Sequence, residues 1–200
     1  MNKKELRCLD IEFRAVDNDN NEMIIEGYPI TFNSVATHWG ISEVVSEKSI
    51  DSETDMKDVP LRYNHNDTCL IMARTRNKSL KLEKDEKGLK MIAKLNDTQT
   101  NRDLYQCIKD KLIDKMSFAF TCDREEWDDK TKTRTILHID KLYDVSVVDV
   151  PFYDSTSVGA RNLDNFQEFA EKKNAEINAE KRKALIEKLK REELAKSIKC

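Results

Sequence analysis

The sequence predicts an α+β protein: a mostly β domain over residues 1–160 with at least one internal helix, and a helical tail over residues 161–200. Three observations predict it. All four glycines (Gly27, Gly40, Gly88, Gly159) and all three prolines (Pro29, Pro60, Pro151) precede Asn162, and none follows it. Short β-favouring runs separated by turn signals dominate the first part. From Asn162 onward the chain is rich in Glu, Lys, Ala, Leu and Ile, which favour helix.

Taken in order, residues 23–32 are β-rich but interrupted by Gly27 and Pro29, which suits a bulge or an edge strand. Residues 79–83 and 89–95 flank Lys84-Asp85-Glu86-Lys87-Gly88, a hairpin signal with glycine where φ is expected to be positive. One helix follows: Thr100 and Asp103 form an N-terminal box, and Leu104, Ile108 and Leu112 recur every four residues. Strands are expected at 115–121 and 134–150, the latter long enough to bend or break near Asp140-Lys141. In the tail, Phe166, Phe169, Ile177, Leu185, Leu189, Leu194 and Ile198 fall at roughly helical spacing without a heptad register. That pattern fits a long, weakly amphipathic helix, and equally a solvated charged helix that packs on nothing.

Bulk properties exclude several classes. Net charge is −3 and the sequence pI about 5.8, so no global field recruits nucleic acid or anionic membrane. No apolar run approaches the roughly 20 residues of a membrane span, and the N-terminus lacks a secretory stretch. The five cysteines (Cys8, Cys69, Cys107, Cys122, Cys200) include no CxxC pair, so neither a zinc ribbon nor a disulfide framework is indicated. A cytoplasmic protein with reduced thiols is expected.

Three residues could carry chemistry. His65 lies where an apolar strand signal runs into a polar turn, and its imidazole could take and return a hydroxyl proton at neutral pH. A histidine in a turn is also, more commonly, a plain surface residue. Ser117 lies in Met116-Ser117-Phe118-Ala119-Phe120-Thr121. Period-two alternation puts Met116, Phe118 and Phe120 on a bulky face, and Ser117, Ala119 and Thr121 on a small one. The small face has room for a second polypeptide or a catalytic partner, and equally reads as a solvent-facing strip. Asp144 lies in an apolar strand where a buried carboxylate needs a partner, an imidazole N–H being a fitting one. By itself it also suits a strand end facing water, and His138 competes to orient His65. A metal site from His65, Cys69 and Cys107 or Cys122 lacks a compact second ligand pair. The acidic run Asp51, Glu53, Asp55, Asp58 lacks the glycine and spacing of a calcium loop and reads as solvated.

In combination these segments resemble a known family. Asn64-His65 after a strand, then Met116-Ser117-Phe118-Ala119-Phe120, then Asp144-Val145-Ser146-Val147-Val148 followed by Pro151 resemble the caudoviral prohead proteases, relatives of the herpesvirus assemblins. Gly27-Tyr28-Pro29-Ile30-Thr31-Phe32-Asn33 and Pro151-Phe152-Tyr153-Asp154 resemble its opening and closing segments. So do Leu80 through Gly88-Leu89, and Asp97-Thr98 with Arg102-Asp103-Leu104. The resemblance spans about residues 10–160. It implies a compact, mostly antiparallel β-barrel-like core with surrounding helices, His65 as general base and Ser117 as nucleophile. Asp144 takes the third position, where the family usually has Glu. Ala119 stands where Gly is common, Lys111 and Leu112 where a glycine commonly precedes the serine motif, and Phe152 where the family has a small residue. Oxyanion donors are expected among residues 151–160.

The resemblance further implies a serine endopeptidase needing no cofactor or metal. Its expected partners are the major capsid protein with its scaffolding segment, and copies of itself as substrate and as homo-oligomer. Its expected place is the host cytoplasm, inside an assembling procapsid. The alternative is a non-enzymatic capsid assembly or scaffolding protein on a protease-derived fold; a metal-dependent hydrolase is a third reading.

Overall fold

A computed structural model of the chain describes residues 4–9, 13–16, 22–38, 40–68, 70–149 and 163–197. Its elements are β1 (Glu5–Leu9), β2 (Phe13–Val16), β3 (Ile24–Thr31), β4 (Val35–His38), β5 (Ile41–Val45), β6 (Pro60–Tyr63), β7 (Ala73–Arg74), β8 (Leu80–Lys84) and β9 (Gly88–Lys94). Then come α1 (Gln99–Lys109), β10 (Lys115–Asp128), β11 (Thr133–Val148) and α2 (Leu163–Ser197). The α+β class and the C-terminal helix are as expected. The barrel is not. The strands form a seven-stranded sheet, ordered β1-β10-β11-β5-β4 with β6 and β7 branching from β11, and a four-stranded sheet ordered β2-β3-β9-β8. Among the described residues neither sheet closes, because β1 and β4 end one path and β2 and β8 the other, with no pairing between those ends. The expected surrounding helices reduce, among the described residues, to α1 and the tail helix.

Alternation builds the core. Met116, Phe118 and Phe120 of β10 join Val145 and Val147 of β11, Ile25 and Ile30 of β3, and Leu89, Met91 and Ala93 of β9 in one cluster. Burying such residues is worth roughly 25 cal/mol per Å² of apolar surface, the dominant favourable contribution to folding. The opposite face of β10 is buried as well: Ser117, Ala119 and Thr121 are each 3% exposed or less, so this is no solvent-facing strip.

Strand β11 stays continuous, but the irregularity expected near Asp140-Lys141 is there, because the ladder to β10 slips at Asp140. It runs sixteen residues, pairing in parallel with β5 at residues 133–136 and with β6 at residues 145–147. The misfit between its length and a twisted sheet is taken up in the β10–β11 ladder, whose register shifts at Tyr143, Asp140, Asp123 and Leu137. Strand β3 carries the expected bulge between Gly27 and Ile30, but lies between β2 and β9 and is no edge.

Two local expectations are corrected. Gly88 does not have positive φ; a Cβ there would meet Ile30 O at 2.0 Å, so glycine is required by the close approach of β3. Helix α1 is capped by Thr98 rather than Thr100, its hydroxyl accepting from Asn101 N at 3.3 Å. Leu104 and Ile108 are buried, but Leu112 lies past the helix end and is 70% exposed. The helix stops because Lys111 turns left-handed (φ 57°), a conformation glycine would adopt without cost.

The tail helix packs on the sheet along its described N-terminal part. Ala170 is buried against Ile41 with Trp127 beside them, and Lys132 Nζ donates to Asn174 Oδ1 at 3.0 Å. Ile177 is buried too, whereas Leu185 and Ile186 are exposed.

Edge strand β1 is fastened by buried charge. The Arg7 guanidinium bonds Glu43 and Glu5, and Arg134 bonds the same two carboxylates, at 2.5 to 2.9 Å. Arg7, Glu43 and Arg134 are each 5% exposed or less. Every charge there has an opposite partner, the condition under which buried ions are tolerated.

Candidate active site

The site lies on three adjacent strands. Ser117 of β10 faces Ser146 of β11, Ala119 faces Asp144, and the end of β6 runs parallel to β11, so His65 emerges beside them. Residues of even number in β11 at this point share the small face with Ser117, while Val145 and Val147 face the core.

His65 is presented by a strained turn. Asn64 and His65 are both left-handed (φ 50° and 51°), which costs free energy in non-glycine residues and persists only when surroundings enforce it. Here Asn64 N donates to Val147 O at 3.0 Å, His65 N to Ser146 Oγ at 3.2 Å, and Asp149 N to Asn64 Oδ1 at 3.2 Å. Tyr63 closes the turn by donating its hydroxyl to Asp149 Oδ2 at 2.7 Å; burial and that carboxylate push its pKa up to about 12.

The imidazole bridges the other two residues. His65 Nδ1 bonds the Asp144 carboxylate, and His65 Nε2 lies 2.6 Å from Ser117 Oγ. The carboxylate accepts a hydrogen bond from Nδ1–H, which fixes the tautomer and leaves the Nε2 lone pair for the serine hydroxyl. Asp144 is 3% exposed. Burial pushes its pKa up, yet the His65 hydrogen bond, the His65 and Lys4 charges and the Ser146 hydroxyl together hold it below the ordinary aspartate value. Ser117 is 2% exposed, and its hydroxyl also reaches Arg7 O on β1 at 2.9 Å. One proton therefore faces two acceptors, and transfer to His65 requires that the Arg7 contact be given up.

All three residues expected from the sequence meet here, and His138 does not join them; its Nδ1 bonds Asp123 instead. Two participants were missed. Ser146 is fully buried, donates to Asp144 Oδ1 at 3.0 Å and lies 3.1 Å from His65 Nδ1. Its place two residues after Asp144 in a strand was the available signal. Lys4 pairs with Asp144 Oδ2 at 3.4 Å and left no signal in the sequence. The segment expected to hold oxyanion donors, 151–160, lies outside the described residues, as does Phe152.

Comparison with known families decides the class. The family model of the caudovirus prohead serine proteases matches residues 9–169. The chain belongs to that family. No curated protein and no solved structure matches it. The match covers the whole His65–Ser117–Asp144 constellation and runs into the first turns of α2. Membership carries a prohead role and serine peptidase chemistry at the level of the family. Among the described residues no helix is long and apolar enough to cross a membrane.

Proposed function

We propose that this chain is an active serine endopeptidase that cleaves capsid and scaffold segments, and itself, inside the assembling phage procapsid in the host cell. The observation that carries the reading is the 2.6 Å approach of His65 Nε2 to Ser117 Oγ with Nδ1 already taken by Asp144. Ser117 Oγ bonds to the scissile carbonyl carbon as its proton passes to His65 Nε2. The imidazolium, held by Asp144, returns that proton to the leaving amine, and a water activated by the same base then hydrolyses the ester. Asp144 is shorter than the glutamate usual in the family, but the left-handed His65 turn brings the ring to it, and Lys4 and Ser146 occupy its remaining acceptor sites. Residues 1–160 would carry this chemistry. Residues 161–200 would dock to helical scaffold or be removed, and the enzyme would work as a homo-oligomer.

The test uses the wild type and Ser117→Ala with a fluorophosphonate probe and the cognate capsid protein. The expected outcome is one probe adduct, on Ser117, and capsid cleavage by the wild type alone. Equal cleavage by the variant would overturn the nucleophile assignment. A folded wild type that neither takes the probe nor cleaves would favour the non-enzymatic assembly protein.

A further inference from the structure

His138 lies on β11, paired with β10, and the peptidase reading leaves it without a role. It is 3% exposed, and its Nε2 is buried without any hydrogen-bond partner. Buried polar atoms are almost always satisfied, so an orphaned ring nitrogen points to something that completes it. Its Nδ1 is held by Asp123 at 2.5 Å, and Asp123 is the extra residue where the ladder slips between Cys122 and Arg124. That bond directs the Nε2 lone pair outward. Facing it are Asp51 and Glu53 of the segment between β5 and β6, both exposed, and the donor atoms of all three residues lie within 4.8 Å of one another.

We propose that His138 Nε2, Asp51 and Glu53 bind one divalent first-row transition cation, with Asp123 orienting the imidazole from behind. The distances fit such an ion. Asp51 Oδ1 lies 3.4 Å from His138 Nε2 without hydrogen-bond alignment. Two ligand atoms each about 2.1 Å from one tetrahedral ion stand about 3.4 Å apart. A carboxylate–histidine–metal relay is the usual second tier of such centres. An imidazole ligand selects zinc, cobalt or nickel over calcium or magnesium. The acidic segment is already laid along β11: Ile139 N donates to Ser49 O at 2.8 Å, and Asp55 N to Asp140 O at 2.9 Å. Only the exposed Asp51 and Glu53 side chains need to close on the ion. Arg124, exposed and opposite His138 in the ladder, also bears on Asp51 and is the cation that the metal must outcompete. Bound there, the ion would clamp the segment that leads into β6, and hence toward His65.

The full chain, stripped with chelator, is titrated with Co²⁺ and followed by visible absorption and by thermal unfolding. The expected result is one ion per chain, a d–d band, and a rise in Tm that Zn²⁺ reproduces while displacing the colour. His138→Ala should abolish the band. Glu53→Gln, on an exposed side chain that leaves the metal-free Tm unchanged, should weaken binding at least about tenfold. His65→Ala should keep the band. The proposal is overturned if the wild type shows no saturable binding, if Glu53→Gln titrates like the wild type, or if the band disappears with His65 instead of His138.

Discussion

His65 and His138 are built alike up to their second nitrogen. Each ring gives Nδ1 to an aspartate, Asp144 or Asp123, and each aspartate lies at or beside a slip in the β10–β11 ladder. They part at Nε2. One meets a serine hydroxyl at 2.6 Å, the other makes no aligned hydrogen bond and faces two exposed carboxylates, with Asp51 Oδ1 at 3.4 Å. Orientation by a carboxylate is therefore not what makes a general base. The same oriented lone pair accepts a proton where a hydroxyl is in reach and suits a cation where acidic groups are. Bulges make both arrangements, because an extra residue re-aims a neighbouring side chain out of strict alternation.

The sharpest break of this comparison applies one isosteric change to both aspartates. Asp144→Asn keeps the shape but invites the wrong His65 tautomer and removes the charge that stabilises the imidazolium. Capsid cleavage should fall by roughly 10²- to 10⁴-fold. Asp123→Asn should leave cleavage untouched by that route and weaken Co²⁺ binding about 10- to 100-fold. Single-turnover cleavage and the cobalt titration, run on both variants, read the two effects. Cleavage equally crippled by Asp123→Asn would mean that the two histidines are not independent.

How much of this was legible in the sequence follows from what alternation can encode. Ser117 on a small-residue face and Asp144 in an apolar strand are local patterns, and both lie where those patterns put them. That His65 stands next to Asp144 depends on β6 running parallel to β11, a pairing between segments some eighty residues apart that no local pattern carries. The slip at Asp123 is equally silent, whereas the length of residues 134–150 did point to an irregularity near Asp140; such slips decide which of two consecutive residues faces the core. Hence the acidic run and His138 read as unrelated features until the fold brought them together. The Arg7–Glu43–Arg134 network had no sign either, since each residue alone reads as surface charge. Gly88 was read for its φ when its reason was the backbone of β3, and the barrel was expected where, among the described residues, the two sheets stay open.

Acid separates the two histidines in another way, because the Ser117 hydroxyl beside His65 leans on Arg7 O of β1. Glu5 holds that strand through Arg7 and Arg134. Burial pushes its pKa up, but the Arg134 hydrogen bond and the two guanidinium charges bring it down to about 2 from 4.5. A depressed carboxylate contributes stability that is fully present above pH 4.5 and is lost as pH falls toward 2. The loss should reach about 3 kcal/mol. Urea unfolding from pH 5 to pH 2.5 should show that slope, and Glu5→Gln should flatten it. An unchanged slope in Glu5→Gln would place the acid sensitivity in other carboxylates, Asp144 among them.

Ser146 is the smallest and most specific test, because His138 has nothing like it. Its buried hydroxyl donates to Asp144 Oδ1 and accepts from the His65 backbone N–H, so it ties the left-handed turn to the carboxylate that orients the ring. Ser146→Ala removes both bonds and leaves the His65 N–H without that acceptor, while the Asp144–His65 bond itself survives. The ring should wander rather than detach, so kcat should fall roughly tenfold with KM held. Asp144, with one donor fewer, also offers more of its charge to the imidazolium, so the acid limb of kcat/KM should move to higher pH. A merely structural serine would lower Tm without moving that limb. If the limb stays and only stability drops, the difference between the two histidines is complete at the hydroxyl of Ser117, and Ser146 supports the fold alone.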